Sequence, residues 1–144
     1  MAIIDENKSF VNHELLVVNT FIDKNQRNRF NTLLSSKKGR AKARGLMSHS
    51  IRFVPHLIHE IPTNKQTSEE IIKILLQHKA STSCYLISEY TRLDKTVMGL
   101  AEAINEVVGS GIATIVSCIP GKLAYFEGEG FNNRFILISD KTHP

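Results

Sequence analysis

The chain has 144 residues, 42% of them apolar and 22% charged, with a net charge of +4. That is the size of one domain and the composition of a soluble globular protein. Two cysteines, Cys84 and Cys118, are too few for a disulfide framework or a Cys-rich zinc site. The longest aliphatic run, Leu15 to Val18, is far too short to span a bilayer. The opening MAIIDENKSF turns acidic and polar at once, so no targeting signal and a cytoplasmic protein are expected.

Ser9 or Asn12 is placed to cap a first helix, along which Val11, Leu15, Val18 and Ile22 recur at steps of four, three and four. Asp23, with Gln26 three residues on, suggests a capping box for a second helix. Phe30, Leu33 and Leu34 are its expected buried side. Ser35 or Ser36 ends it and caps a third segment, SKKGRAKARGLMSHS. That segment is thin in apolar residues, and Gly39 and Gly45 each disfavour helix by about 1 kcal/mol relative to alanine. A short, mostly exposed helix is expected, with Lys37, Arg40 and Arg44 on one face and Lys38 and Lys42 beside it.

IRFVPHLIHEIP, residues 51–62, reads as extended, and its prolines argue for a sheet edge or a bulge. A helix pattern follows. Thr67 or Ser68 caps it, Glu69 and Glu70 suit its positive end, Lys79 suits the other, and Ile71, Ile72, Leu75 and Leu76 face the core. Residues 84–88 read as a strand, EYTRLDKT as a polar loop, and 96–108 as a helix striped by Val97, Leu100, Ala101, Ile104, Val107 and Val108. Gly109 ends that helix. Residues 112–118 are almost wholly apolar and read as a central strand; 122–127 and 134–139 read as the last two.

The order α-α-(α)-β-α-β-α-β-β-β predicts an α/β fold, bordering on α+β. It implies right-handed β-α-β crossovers between parallel strands, then an antiparallel meander, in a mixed sheet of about five strands. A single domain over 1–144 is expected, with a helical basic part over 1–50 and an α/β core over 51–144. Within the meander, Pro120-Gly121 is a turn signature. It places Leu123 and Tyr125 on one side of the following strand and Ala124 and Phe126 on the other. Glu127, Gly128, Glu129 and Gly130 are expected in a solvated loop.

Charge is the strongest functional signal. Residues 1–60 hold ten Lys/Arg against five Asp/Glu, and residues 61–144 hold eight against nine. From Lys24 to Arg52 there are nine basic residues and no acidic one: Lys24, Arg27, Arg29, Lys37, Lys38, Arg40, Lys42, Arg44 and Arg52. Such a run is either a solvated helical face or a contact surface for an anionic partner, nucleic acid or an acidic protein. Only Phe30 and Phe53 lie in or beside it as stacking aromatics, which favours backbone contact over a single-strand stacking platform. The expected contacts are Arg27, Arg29, Lys37, Lys38, Arg40, Lys42 and Arg44. Charge reversal at Arg40 and Arg44 is expected to abolish binding and leave the fold intact.

Chemistry has one candidate place. If the strands over 51–61, 84–88 and 112–118 are parallel, their carboxyl ends meet at one edge. That edge would gather His59 and Glu60, then Ser88, Glu89 and Asp94, then Cys118 and Lys122. Cys118 with His59 as base is a nucleophile pair in outline, and Glu89, Asp94 and Lys122 outline a small-ligand pocket. The plainer alternative is a buried cysteine in a central strand. His56 and His59 are three apart, but in an extended segment they point to opposite faces, so no metal site is expected, and no cofactor motif is present. GSG at 109–111 runs from helix into strand, the wrong order for a phosphate loop. His13, His78 and His143 stand alone.

The expected function is therefore a non-enzymatic binding or regulatory protein using Lys24–Arg52. The alternatives are a small enzyme or ligand-binding protein at the strand ends, and an immunity or adaptor protein that occludes a partner. Glu127 and Glu129 would be contact candidates for the last.

Overall fold

A computed structural model of the chain describes residues 6–129 and 133–139, with side chains from His13 onward. Three helices come first: α1 (Glu6–Phe21), α2 (Lys24–Leu34) and α3 (Lys37–His49). The rest is β1 (Ile58–Glu60), α4 (Ser68–Gln77), β2 (Ser83–Ser88), β3 (Val97–Gly99), α5 (Leu100–Val107), β4 (Thr114–Ile119), β5 (Leu123–Glu127) and β6 (Arg134–Ile138). The helices precede and flank one six-stranded sheet of order β1-β6-β5-β4-β2-β3, so the mixed helix-and-sheet class stands.

Local chemistry explains most boundaries. The Asp23 side chain accepts from the Asn25 N–H to start α2, and the Ser36 side chain accepts from the Gly39 N–H to start α3. Thr67 does the same for α4 with the Glu70 N–H. Gly121 has φ +70°, and the Lys122 N–H bonds the Ile119 carbonyl across the Pro120-Gly121 turn. The α3 segment is helical over 13 residues, longer than its composition suggests. Tertiary burial of Arg40, Ala43 and Met47 offsets its weak propensity. The capping expected of Ser9 and Asn12 falls on side chains outside the described residues, and the α1 backbone runs through both.

Three expectations need correction. First, every strand pair in the sheet is antiparallel. The cause is β3. Val97 to Gly99 form a strand that pairs back on β2 before the helix begins at Leu100, and Val97 is exposed rather than part of the core stripe. That extra reversal sends β4 antiparallel to β2. Directions alternate across the sheet, so β3 and β4, joined through α5 with β2 between them, share a direction without being neighbours.

Second, the 51–62 segment holds three strand residues, not a full strand. A 3-10 turn over Pro55–Leu57 precedes β1 and another over Thr63–Lys65 follows Pro62. As the prolines implied, β1 is an edge strand. Third, Leu15 is 41% exposed. The buried face of α1 is Val17, Val18, Phe21 and Ile22, one step round the helix from the expected stripe.

Two apolar layers sandwich the sheet. Helices α1 to α3 cover Tyr85, Ile87, Ile115, Ala124, Phe126 and Leu137. Helices α4 and α5 cover Leu86, Val116, Leu123, Tyr125 and Ile136. Leu123 and Tyr125 thus lie on one side and Ala124 and Phe126 on the other, as the alternation requires. Among the described residues, no helix is long and apolar enough to cross a membrane.

Candidate functional site

The basic run divides into two sets once it is folded. Lys24 and Arg29 on α2, and Lys37, Lys38 and Lys42 on α3, are exposed. Among the described residues none of these five has a carboxylate within ion-pair distance. Arg52, just after α3, is exposed and lies 3.8 Å from the Asp23 carboxylate. Arg27 is half-buried and spends its Nε–H on the Ile22 carbonyl at 2.8 Å.

Arg40 and Arg44 face inward. Arg40 is only 5% exposed. Its Nε and Nη2 donate to the two oxygens of Asp94 at 2.6 and 3.0 Å, and its Nη1 donates to Glu14 at 3.0 Å. Arg44 adds Nη1 to Asp94 at 3.3 Å. Asp94 also accepts from the Ser88 N–H at 3.0 Å, and Glu14 accepts from the Tyr85 hydroxyl at 2.8 Å. Further along α3, Ser48 donates to Glu89. This fastens α3 to the segment between β2 and β3. Arg40 therefore leaves the contact face. The partner-binding role expected of it is corrected to an internal anchor, because its counter-ions come from α1 and the β2–β3 loop.

The charge states follow from these contacts. Burial alone would lower the Arg40 guanidinium, but the Asp94 hydrogen bonds and the Glu14 charge outweigh it and hold it further up. Burial alone would raise Asp94, yet Arg40, the Ser88 N–H and Arg44 bring it below the usual carboxylate range. Burial and the Glu14 carboxylate push the Tyr85 phenol up. The shifts favour a charged Arg40, a charged Asp94 and a neutral Tyr85, as an ion-pair anchor requires. His13 lies beside it, 3.0 Å from the Ser117 hydroxyl with its ring 5.3 Å from Tyr85, and burial lowers its pKa.

The expected strand-end site does not assemble. Because β2 and β4 are antiparallel, Ser88 pairs with Thr114 at the start of β4. Glu89 and Asp94 therefore lie at one end of the sheet, and Cys118 and Lys122 at the other. His59 is on the same face as Cys118, since it pairs with Ile136, then Tyr125, then Val116. Three strand spacings separate them, roughly 14 Å. That is far beyond the reach of a base to a thiol. Cys118 is instead buried beside Cys84. Among the described residues there is no group of three or more His, Cys, Asp or Glu able to hold a metal.

Sequence reasoning misplaced Glu127. It is fully buried, not in a solvated loop. It accepts from the Tyr125 hydroxyl at 2.6 Å, Arg134 Nε at 2.8 Å and the N–H groups of Gly109 and Gly111 at 3.0 and 3.3 Å. Its place one step past Phe126 in an apolar strand was the available signal; the partners that make its burial tolerable come from the turn after α5 and from β6. The loop partner expected beside it, Glu129, is exposed and lies 3.6 Å from His49, while Gly130 lies outside the described residues.

No family model matches the chain, and no curated protein or solved structure resembles it significantly.

Proposed function

We propose that this is a cytoplasmic, non-enzymatic binding protein whose α2–α3 hairpin contacts the phosphate backbone of a nucleic acid. The observation that carries the reading is the free cation set Lys24, Arg29, Lys37, Lys38 and Lys42, exposed on two packed helices with no neutralising carboxylate among the described residues. Lys37 and Lys38 stand in the first turn of α3, where the helix dipole is already positive and acidic residues are favoured. That placement raises the local potential, which suits an anion held in front of it. Backbone contact needs lysine and arginine density and few aromatics, which is what the hairpin offers.

The test is anisotropy of labelled single- and double-stranded DNA and RNA at two salt concentrations. Lys37→Glu/Lys38→Glu/Lys42→Glu is compared with the native sequence. Affinity that falls steeply with salt and is lost in the variant supports the reading. No binding at low salt removes nucleic acid and leaves the acidic-protein, adaptor or immunity reading, to be pursued by co-purification. The enzyme reading has no comparable support, since its residues lie at opposite ends of the sheet.

A further inference from the structure

Cys84 of β2 and Cys118 of β4 are 34 positions apart in sequence, and their sulfurs are 3.7 Å apart. Both are buried, on the α4–α5 side of the sheet. They stand one step beyond the paired residues Tyr85 and Ser117, on adjacent antiparallel strands. Opposed positions on such strands have Cα atoms about 4.5–5.5 Å apart. A disulfide spans about 4.4–6.8 Å, so the backbone already suits the bond. Closing the sulfurs to about 2.05 Å is a matter of side-chain rotation. Cys118 also sits where the β4–β5 register shifts between Ser117 and Ile119. A bulged residue is released from the ladder on that side, which gives its backbone room to adjust.

We infer that Cys84 and Cys118 are a redox pair which a hydroperoxide closes into an intramolecular disulfide between β2 and β4. Cys84 is the attacking sulfur. It is the nearer of the two to the sheet edge, next to the three-residue edge strand β3 and opposite the half-buried Met98. The contact with the Cys118 thiol lowers the Cys84 pKa, whereas contact with Cys84 and burial push Cys118 well up. The Cys84 sulfur takes the terminal oxygen of the hydroperoxide; the O–O bond breaks and an alcohol, or water, leaves with the proton. The Cys118 sulfur then attacks the Cys84 sulfenic acid. The S–S bond forms, the S–O bond breaks, and water leaves with the Cys118 proton. Two electrons pass from the thiols to the peroxide.

The bond has a route to the other face. Tyr85 and Ser117, the sequence neighbours of the two cysteines, hold Glu14 and His13 of α1. A covalent link between their strands fixes the platform on which α1 rests.

The experiment treats the native full chain with hydrogen peroxide, quenches it, unfolds it and alkylates whatever thiol remains, followed by intact mass and peptide mapping. The expected result is loss of two hydrogens, no alkylation at either cysteine, one peptide joining Cys84 to Cys118, and reversal by dithiothreitol. Cys84→Ala and Cys118→Ala should each lack the mass loss. Both thiols still alkylated after methionines have become sulfoxides would overturn the inference, because the oxidant was then present and active. Disulfides found only between two molecules would overturn it equally. The wild-type result decides the matter even if an alanine variant fails to fold.

Discussion

Arg40 and Asp94, 54 residues apart in sequence, meet in a two-point ion pair at 2.6 and 3.0 Å beneath α3. The geometry matches the fork of a guanidinium to the two oxygens of a carboxylate. Both side chains are almost sealed from water, at 7% and 3% exposure. Removing one partner strands the other charge, so Asp94→Ala is expected to lower the unfolding free energy by about 3–5 kcal/mol. Urea unfolding checks this. A loss under about 1 kcal/mol would mean that the pair is solvated and contributes as little as a surface bridge.

The same carboxylate sets an acid dependence. Its folded pKa lies below the unfolded value, so its stabilisation is complete above about pH 3.9 and is lost as pH falls through the folded pKa. The stability gap between wild type and Asp94→Asn should therefore be widest near neutrality and shrink in acid. A gap that is constant from pH 7 down to the acid transition contradicts the assignment.

His13 acts in a higher window. Burial lowers its folded pKa below 6.5, so the unfolded chain binds more protons in between. Stability should fall as pH drops below about 6.5 and level off beneath the folded pKa. His13→Gln should flatten that part of the stability–pH curve; an unaltered slope would assign it to another group.

Two glycines of α3 make opposite predictions. A Cβ on Gly39 would stand 2.6 Å from the Leu33 carbonyl oxygen, which is backbone and cannot swing away. Gly45 has nothing within 4 Å of that position. Gly45→Ala should stabilise by about 1 kcal/mol through helix propensity. Gly39→Ala should destabilise despite the same propensity gain, and thermal melts of the two variants should move in opposite directions.

Charge reversal separates the two basic sets. Lys37→Glu/Lys38→Glu/Lys42→Glu should leave stability within about 0.5 kcal/mol, the usual range of surface changes. Arg40→Glu/Arg44→Glu should unfold the protein, because it sets like charges against Asp94 and Glu14. Circular dichroism with chemical denaturation distinguishes them, and equal stability of both variants would contradict the internal anchor.

Where a feature is local, the sequence was enough to find it. The Asp23, Ser36 and Thr67 caps, the Pro120-Gly121 turn and the two-sided alternation from Leu123 to Phe126 depend on neighbours a few residues away. So did the buried Ile71 and Leu75 of α4, the buried Leu100, Ile104 and Val107 of α5 and the edge position of the Pro-flanked β1, whereas Leu76 is 55% exposed and Ala103, not Ala101, is buried on α5. The site was less legible. Val97 to Gly99 suit a helix start as well as a strand, and only pairing with β2 decides between them. That one choice reverses β4 and moves Cys118 and Lys122 away from Glu89 and Asp94.

Residue order and type carry the inventory: helices first, then one sheet, and a window from Lys24 to Arg52 without a single acid. Strand direction and the fate of each charge come from the folded chain. Arg40 and Lys42 are equivalent as letters in a basic run. Arg40 becomes an internal anchor because Glu14 and Asp94, on other elements, close around it. Lys42 stays free because no described carboxylate reaches it. Periodicity and capping act over a few residues, whereas counter-ion pairing and strand direction depend on where the chain returns.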